Sequence, residues 1–517
     1  MMLVRRETGN KVGQVGRSST ATGLDRYNIA LALLLLAVAS TPLLLADYPP
    51  LVDYPNHLAR AFIIAHYDEI PDFRDAYRIE WQVLPNLAMD VFVPFLGQFT
   101  GVPVAGRAFI FMTFSVLLLG SLAVNSALYG RVTLGGVMAL AFLYNSILIW
   151  GFLNYLFGLG IALLAFAAFM RLYEATRWTF LVGSSSLSLL VFFCHLYAFA
   201  IYGILVIAYT FYKSGVGLRR ESFVHLARNL YFSGVQAIVP LALFLFFSPV
   251  GNASTEVVQF GSFRRKLDGI SYFFSNYNES IDILAYSLLA GLVGYLAGTR
   301  VLSMNKVIIG VLALLVCLYV SMPAVILSSS SADRRLIVAL AFVFTAGSCI
   351  RVTARREWLA VAAVISVITI LQAGITGRAW AANDTWHQEY TAALEHVGVG
   401  SKVALAIDRR LSWHPVNVRH LPSLLVVERQ AFAPNIFAIE GQQPLALRPD
   451  YRKLVDEHDA HENFNRLVDT ESGRLAERLE RFDYLLVFGR HGFTLPESTP
   501  GLVLLERDER FALYRLI

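Results

Sequence analysis

Long apolar runs separated by short polar turns dominate the chain up to about Ile375. They cover Asn28–Ala46, Ala108–Tyr129, Leu134–Tyr144, Leu153–Met170, Phe180–Cys194, Leu196–Tyr212, Tyr231–Phe247, Ile283–Ala297, Val307–Val320, Leu336–Cys349 and Ala360–Ile375. In hydrocarbon every backbone polar group must be satisfied internally, so runs of this kind predict membrane-crossing helices, about eleven of them by hydropathy. Composition agrees. The sequence is 56% hydrophobic and only 16% charged, with mean hydropathy +0.54, whereas soluble chains carry about 25% charged residues. The net charge of +5 is spread over loops, which gives no support for nucleic-acid binding. Cys194, Cys317 and Cys349 lie in apolar segments without metal-ligand spacing and read as packing residues. No Walker, GxGxxG, HExxH or EF-hand pattern occurs.

Charge orients the crossings. The first run follows a basic leader (Arg5, Arg6, Lys11, Arg17, Arg26), and Lys/Arg excess marks the cytoplasmic side. Four further basic loops, around Arg171–Arg177, Lys213–Arg228, Arg300–Lys306 and Arg351–Arg356, face the same side if the crossings are odd in number. Pro85–Thr100 is then read as a helix lying at the outer interface, because it is short, contains Pro94 and carries Asp90 mid-helix. A short true span there would invert everything after it. Five polar features gather on the outer side: the Asp47–Asn86 loop, the Tyr144–Tyr155 turn, the turn at His195, and the loops Pro249–Ile281 and Pro323–Arg335. From Trp380 the composition becomes mixed. Lys402–Asp408, Ser423–Glu428, Asp483–Gly489 and Gly501–Glu506 read as strands, and Asn463–Phe482 has helical spacing. The expected organisation is a cytoplasmic tail (1–27), a transmembrane domain (28–377, first outer loop 47–105) and a small outer α/β domain (378–517).

Ala46–Phe62, ADYPPLVDYPNHLARAF, concentrates the chemistry. Pro55 suits a helix first turn, and the spacing of three and four puts His57 and Arg60 on one side of that helix. Asp53 then stands at the positive end of its dipole, able to take a proton from a hydroxyl or hold a divalent cation, with Arg60 free for a phosphate. The plain alternative is that Asp53 caps the helix. Asp47 is the rival acid, and Asp90 a second carboxylate that needs a partner on its apolar helix. His195, beside Tyr197, interrupts an apolar stretch at an outer turn. Trp150, Asn154 and Tyr155 can stack on or hydrogen-bond a sugar, although aromatic residues are also common at membrane interfaces. Arg334 and Arg335 stand against the positive-inside bias, which a phosphate ligand explains, or else lipid headgroups. Arg264, Arg265 and Lys266 form a weaker basic patch.

One span, an outer loop opening on an acid, an interfacial helix, many further spans and a terminal domain together resemble the GT-C superfamily of integral-membrane glycosyltransferases. The resemblance implies a polyprenyl-phosphate-linked sugar donor, a glycan, lipid or protein acceptor, and a bacterial plasma membrane with the terminal domain in the periplasm. It places the catalytic acid at Asp53 in VDYPNHLAR, with Asp47 as rival, the second acid at Asp90, and the donor phosphate on Arg334 and Arg335. The chain lacks the family's Asp-x-Asp pair, the Lys-Pro-Pro run of aminoarabinose transferases and a terminal Trp-Trp-Asp motif. A divalent cation, Mg or Mn, thus remains open. The implied chemistry is transfer with inversion, Asp53 acting as base with help from His57 or His195. The rival class is a transporter, flippase or non-catalytic export component. It should place ionisable groups at the bilayer midplane, and here the spans are nearly free of charge. The topology makes a direct prediction: cysteines or reporters placed at Ser214 and Ser472 label from opposite sides of the membrane, and labelling from one side would invalidate it.

Overall fold

The computed structural model describes residues 19–215, 220–250, 258–326, 329–408, 419–458, 479–489 and 501–517. Helix α1 (Ser19–Ser40) ends in a 3-10 turn, Thr41–Leu44. The loop after the first span then folds as α2 (Tyr54–Ala65), α3 (Pro71–Ala76), β1 (Tyr77–Ile79) and α4 (Ala88–Thr100). Next come α5 (Val102–Tyr129), α6 (Leu134–Val137) with the 3-10 turn Met138–Phe142, and α7 (Ser146–Ile149). Helices α8 (Leu153–Leu172), α9 (Arg177–Cys194), α10 (Leu196–Ser214), α11 (Arg220–Gly234) and α12 (Ile238–Phe247) follow. After these come α13 (Phe263–Phe273), α14 (Glu279–Gly298), β2 (Leu302–Met304), α15 (Lys306–Ser321), α16 (Ala332–Gly347) and β3 (Ser348–Ile350). Last in the membrane region is α17 (Arg355–Ala393), a single helix of 39 residues, so the change in composition near Trp380 falls within a continuous element.

Among the described residues, 8 helices are long and apolar enough to cross a bilayer. Three of the expected crossings are shorter. Helices α15 and α16 have 16 residues each, roughly 24 Å against a hydrocarbon core of roughly 30 Å. The third, 134–142, is one turn of α-helix followed by 3-10 helix. It is buried along its whole length, and irregular backbone is tolerated at membrane depth where protein covers it. Residues 85–100 contain the short helix α4 and no long span.

Contacts separate the two ends of the bundle. At one end Asn125 Nδ2 donates to Ser348 O (2.7 Å), Trp358 Nε1 to Asn28 Oδ1 (2.8 Å), and β2 pairs antiparallel with β3. At the other end the polar features expected together do meet. Val52 N donates to Ile149 O (2.8 Å), Leu87 N to Phe193 O (2.9 Å) and Leu196 N to Pro85 O (3.0 Å). The best-packed pair of helices, α5 and α8, approaches through facing glycines. A Cβ on Gly160 would lie 2.6 Å from Val116 backbone, and one on Gly120 2.7 Å from Gly160 O. Small residues allow such approach where burial gives no hydrophobic gain between helices.

Beyond α17, a four-stranded sheet has the order β4-β6-β8-β7, built from β4 (Val403–Ile407), β6 (Tyr484–Phe488), β7 (Leu502–Arg507) and β8 (Phe511–Leu516). β4 and β6 are parallel and the other pairs antiparallel, with Leu405 opposite Leu486 and Leu486 opposite Leu513. One strand expectation is corrected. Residues 424–429 form helix α18 (Leu424–Arg429), entered through a 3-10 turn containing Pro422 and closed by Gln430 at φ +53°. A six-residue apolar run has no period that separates strand from helix, and the proline favours a helical start. The expected helix 463–482 lies outside the described residues except at its C-terminal end. Helix α19 is Pro449–His458. Strand β5 (Leu445–Leu447) pairs antiparallel with β1, so the terminal domain and the first outer loop share a ribbon.

The glycine contact yields a stability test. Gly160→Val should lower the thermal midpoint in detergent by an overpacking cost of about 1–3 kcal/mol. Gly203→Ala, on α10 with open space around it, should be neutral or stabilising by up to about 1 kcal/mol. Equal midpoints for the two variants would contradict the close approach.

Candidate active site

Asp53 precedes α2, yet its side chain makes no capping hydrogen bond. Its backbone is fixed instead: Asp53 N donates to Trp150 O (3.1 Å) and His57 N to Asp53 O (3.0 Å). Gly151, at φ +83°, permits this approach, because a Cβ there would lie 2.9 Å from Asp53 N. With the cap role vacant, the carboxylate faces inward at 14% exposure, its Oδ1 3.5 Å from His420 Nε2. Burial pushes the Asp53 carboxyl up from its ordinary 3.8 to about 7, against the lowering pull of Arg419, Arg335 and Arg60. A carboxylate of that strength suits proton transfer near neutral pH.

One turn along α2, Arg60 is 1% exposed and holds Asp90 of α4 with two hydrogen bonds, Nε to Oδ1 (2.6 Å) and Nη2 to Oδ2 (3.0 Å). Asp90 is therefore the counter-ion of Arg60 and not a second free acid. Arg60 Nη2 also meets His57 Nδ1 (3.1 Å), while its Nη1 is buried without an acceptor among the described residues. Burial first, then Arg60 and His420, holds His57 well below the usual histidine range, opposed by a hydrogen bond with the Gly151 backbone. With partners at Arg60 and Gly151, His57 braces the turn that follows Asp53.

Arg335, and not its neighbour Arg334, reaches this group. It is buried, and its guanidinium lies over Phe152 (4.6 Å), Tyr197 (4.9 Å) and Tyr155 (5.9 Å). Among the described residues its Nε has no acceptor. Tyr155 Oη donates to the Arg335 carbonyl (2.5 Å), which fixes the start of α16. His195 joins through its edge-on contact with Tyr155 (5.4 Å), and its Nδ1 accepts from Tyr197 N (3.1 Å) as the cap of α10. Burial and the Arg335 charge hold His195 well below the usual range, so its ring is neutral. One residue earlier, about 100° round the helix, Arg334 stacks on Tyr272 (4.4 Å), whose hydroxyl accepts from Trp150 Nε1 (2.7 Å).

The rival acid Asp47 and the expected sugar ligand Asn154 have other partners. Asp47 is 67% exposed and paired with Arg107 (2.9 Å), outside the contacts that join Asp53 to its neighbours. Asn154 uses its amide on the loop before α4, donating to Asn86 O and Oδ1 (both 3.0 Å) and accepting from Met89 N (2.7 Å). Lys266 of the weaker basic patch is buried against Asp333 (2.8 Å) and anchors α13 to α16.

The terminal domain contributes what the sequence reading omitted. His420 and Arg419 lie more than 300 residues from Asp53 in the chain. Asn56 Nδ2 meets His420 Nδ1 (3.2 Å), and Phe437 N donates to Asn56 Oδ1 (2.6 Å). The only sequence signal was a histidine in a short apolar run, HLPSLL.

Among the described residues, no three His, Cys, Asp or Glu side chains converge on a metal position. The donors around Asp53 are neutral imidazoles and guanidiniums, whereas Mg or Mn takes several oxygen ligands. Among the described residues, this set does not offer the several oxygen ligands that the expected divalent cation would take.

No protein-family model matches the sequence, and no curated protein matches it. Among solved structures, the chain is similar to ArnT from Cupriavidus metallidurans, whose crystal structure is bound to undecaprenyl phosphate. The likeness covers 96% of this chain and 98% of that chain, with a TM-score of 0.52 and 10% identity. The chain shares the fold of that ArnT structure. At such identity the likeness is one of fold alone.

The raised Asp53 carboxyl has a thermodynamic consequence. Between about pH 4 and pH 7 the folded protein keeps a proton that the unfolded chain has released. This contribution makes stability fall as pH rises through that window and level off above it. Asp53→Asn removes the slope, so thermal midpoints in detergent should shift in favour of the variant as pH rises from about 4 to about 7. A difference independent of pH would place the carboxyl in water.

Proposed function

We propose that this GT-C-fold chain transfers a monosaccharide from a polyprenyl-phosphate donor to an acceptor hydroxyl at the outer face of the membrane. The observation that carries the reading is a buried carboxyl poised near neutrality beside Arg335 and Arg60, each with an N–H lacking an acceptor among the described residues. Buried donors of this kind are costly unless a ligand completes them. In the proposed step the acceptor oxygen attacks the anomeric carbon and its proton passes to Asp53. The bond from that carbon to the phosphate oxygen breaks, and its electron pair leaves on the phosphate. Arg335, held by its aromatic cage, stabilises that leaving charge, with Arg60 Nη1 behind it. A single displacement inverts the anomeric centre. The guanidiniums supply the positive charge a divalent cation would bring, so no step runs through a metal. The support from the neighbouring fold is that ArnT was crystallised with undecaprenyl phosphate, the product such a reaction would leave.

The test is release of undecaprenyl phosphate from a panel of undecaprenyl-phosphate monosaccharides by the reconstituted protein. Asp53→Asn should lower turnover about a hundred- to ten-thousandfold, and Arg335→Ala should weaken donor binding roughly ten- to a hundredfold. For the parent protein, kcat/KM should rise with pH through about 7. Asp47→Asn should be far milder. Normal turnover in Asp53→Asn, with strong loss in Asp47→Asn, would move the base to Asp47.

A further inference from the structure

Asp53 is approached by a residue that the reaction above leaves unused. His420 is buried and belongs to the terminal domain, just before the turn Leu421–Ser423. Its ring orientation can be read from the hydrogen bonds around Asn56. Phe437 N–H donates to Asn56 Oδ1 (2.6 Å), which fixes that atom as the amide oxygen. Asn56 Nδ2 then donates to Asn435 O (2.7 Å) and, with its second hydrogen, to His420 Nδ1 (3.2 Å). A ring nitrogen that accepts carries no proton, so a neutral His420 bears its hydrogen on Nε2. That nitrogen is the one facing Asp53 Oδ1 at 3.5 Å. Burial, together with the Arg419 charge, lowers His420 to about 3 and keeps the ring neutral.

The segment presenting His420 is held to itself and to the outer loop. Asn435 Nδ2 donates to the Arg419 carbonyl (3.4 Å), Ser423 Oγ to Asn435 Oδ1 (3.3 Å) and Ser423 N to His420 O (3.1 Å). The Phe437 ring packs edge-on against both His420 (4.8 Å) and His57 (5.8 Å). β1 and β5 pair alongside, and Arg448 Nε donates to Arg74 O (2.6 Å). The domain is thereby seated on α2 and on the loop that follows it.

We infer that His420 is a positioning residue for Asp53: docking of the terminal domain delivers its Nε2–H to one carboxylate oxygen and leaves the other oxygen for the acceptor hydroxyl. This rests on the reading of Asp53 as the base. At 3.5 Å the two atoms lie beyond an N–H···O hydrogen bond of about 2.7–3.2 Å, and catalytic contacts that are long without a ligand tighten when substrate is bound. The donor is uncharged and can give its hydrogen bond without competing for the proton that Asp53 must take. The domain thus supplies part of the site.

Two measurements on the full-length protein test this. In detergent near neutral pH, nitrogen-15 spectra of histidine-labelled protein should lose, in His420→Gln, the signals of a neutral ring protonated on Nε2. In Asp53→Asn those same signals should shift. Loss of signals from a ring protonated on Nδ1, or of an imidazolium, would overturn the proposal, as would signals unmoved by Asp53→Asn. These spectra need no turnover, so they read the contact even if the glycosyl-transfer reading fails. With undecaprenyl-phosphate monosaccharides as donors, His420→Ala should lower kcat about tenfold to a hundredfold and leave KM within about twofold. His420→Gln, whose amide N–H can replace the donor, should recover most of the loss. Unchanged kcat in His420→Ala, a loss confined to KM, or a glutamine variant no better than alanine at equal thermal midpoint would each reduce His420 to a packing residue.

Discussion

The bidentate pair between Arg60 and Asp90 is the interaction on which the Asp53 end of this molecule depends. Both side chains are almost completely buried, and two ions removed from water are tolerated only with close geometry and further hydrogen bonds. Arg60 meets these conditions with contacts of 2.6 and 3.0 Å to Asp90 and a third to His57. The pair locks α2 against α4 and sets the rotation of α2. Removing either partner would leave a buried charge unpaired, which costs far more than the pair contributes when intact. The rotation of α2 in turn decides where Asp53, Asn56 and His57 sit. Asp53 stands before the first turn, Asn56 faces the terminal domain, and His57 fills the gap against Gly151.

Around this anchor the charges follow a simple logic. Three guanidiniums, from Arg60, Arg335 and Arg419, act on Asp53 from α2, from the start of α16 and from the terminal domain. They come from parts of the chain that share no local structure. Positive charge gathered near one weakly acidic carboxyl favours an anionic ligand, and the neutral histidines add donors without adding charge. The aromatic cage gives Arg335 a low-dielectric seat in which its charge acts strongly on whatever anion reaches it. Arg334 stacks on Tyr272 instead, and the difference is a matter of helical rotation.

Much of the fold was legible in the sequence. The apolar runs marked the crossings because a backbone in hydrocarbon has few alternatives to a helix. Length was less legible. The run 134–144 folds mainly as a short buried 3-10 segment, since protein, and not lipid, covers its backbone. The run 424–429 became a helix because six apolar residues carry no usable period. In the site, Asp53, Arg60 and Arg335 were marked by local anomaly: a carboxyl before a Pro-led helix, and basic residues on the outer side. Asp90 was also marked, but its role follows only from the partner that finds it.

The sequence by itself determined that this chain is a polytopic helical protein whose ionisable groups gather at one face, because burying charge in hydrocarbon costs too much to occur elsewhere. It also marked the acid that stands before the Pro-led helix. Tertiary structure alone decided which charge neutralises which. Arg60 takes Asp90, Arg107 takes Asp47 and Lys266 takes Asp333. It also brought His420 to Asp53 across a separation that no local pattern encodes. The physical reason is that pairing energies depend on distance and burial, and both are fixed only when distant segments pack.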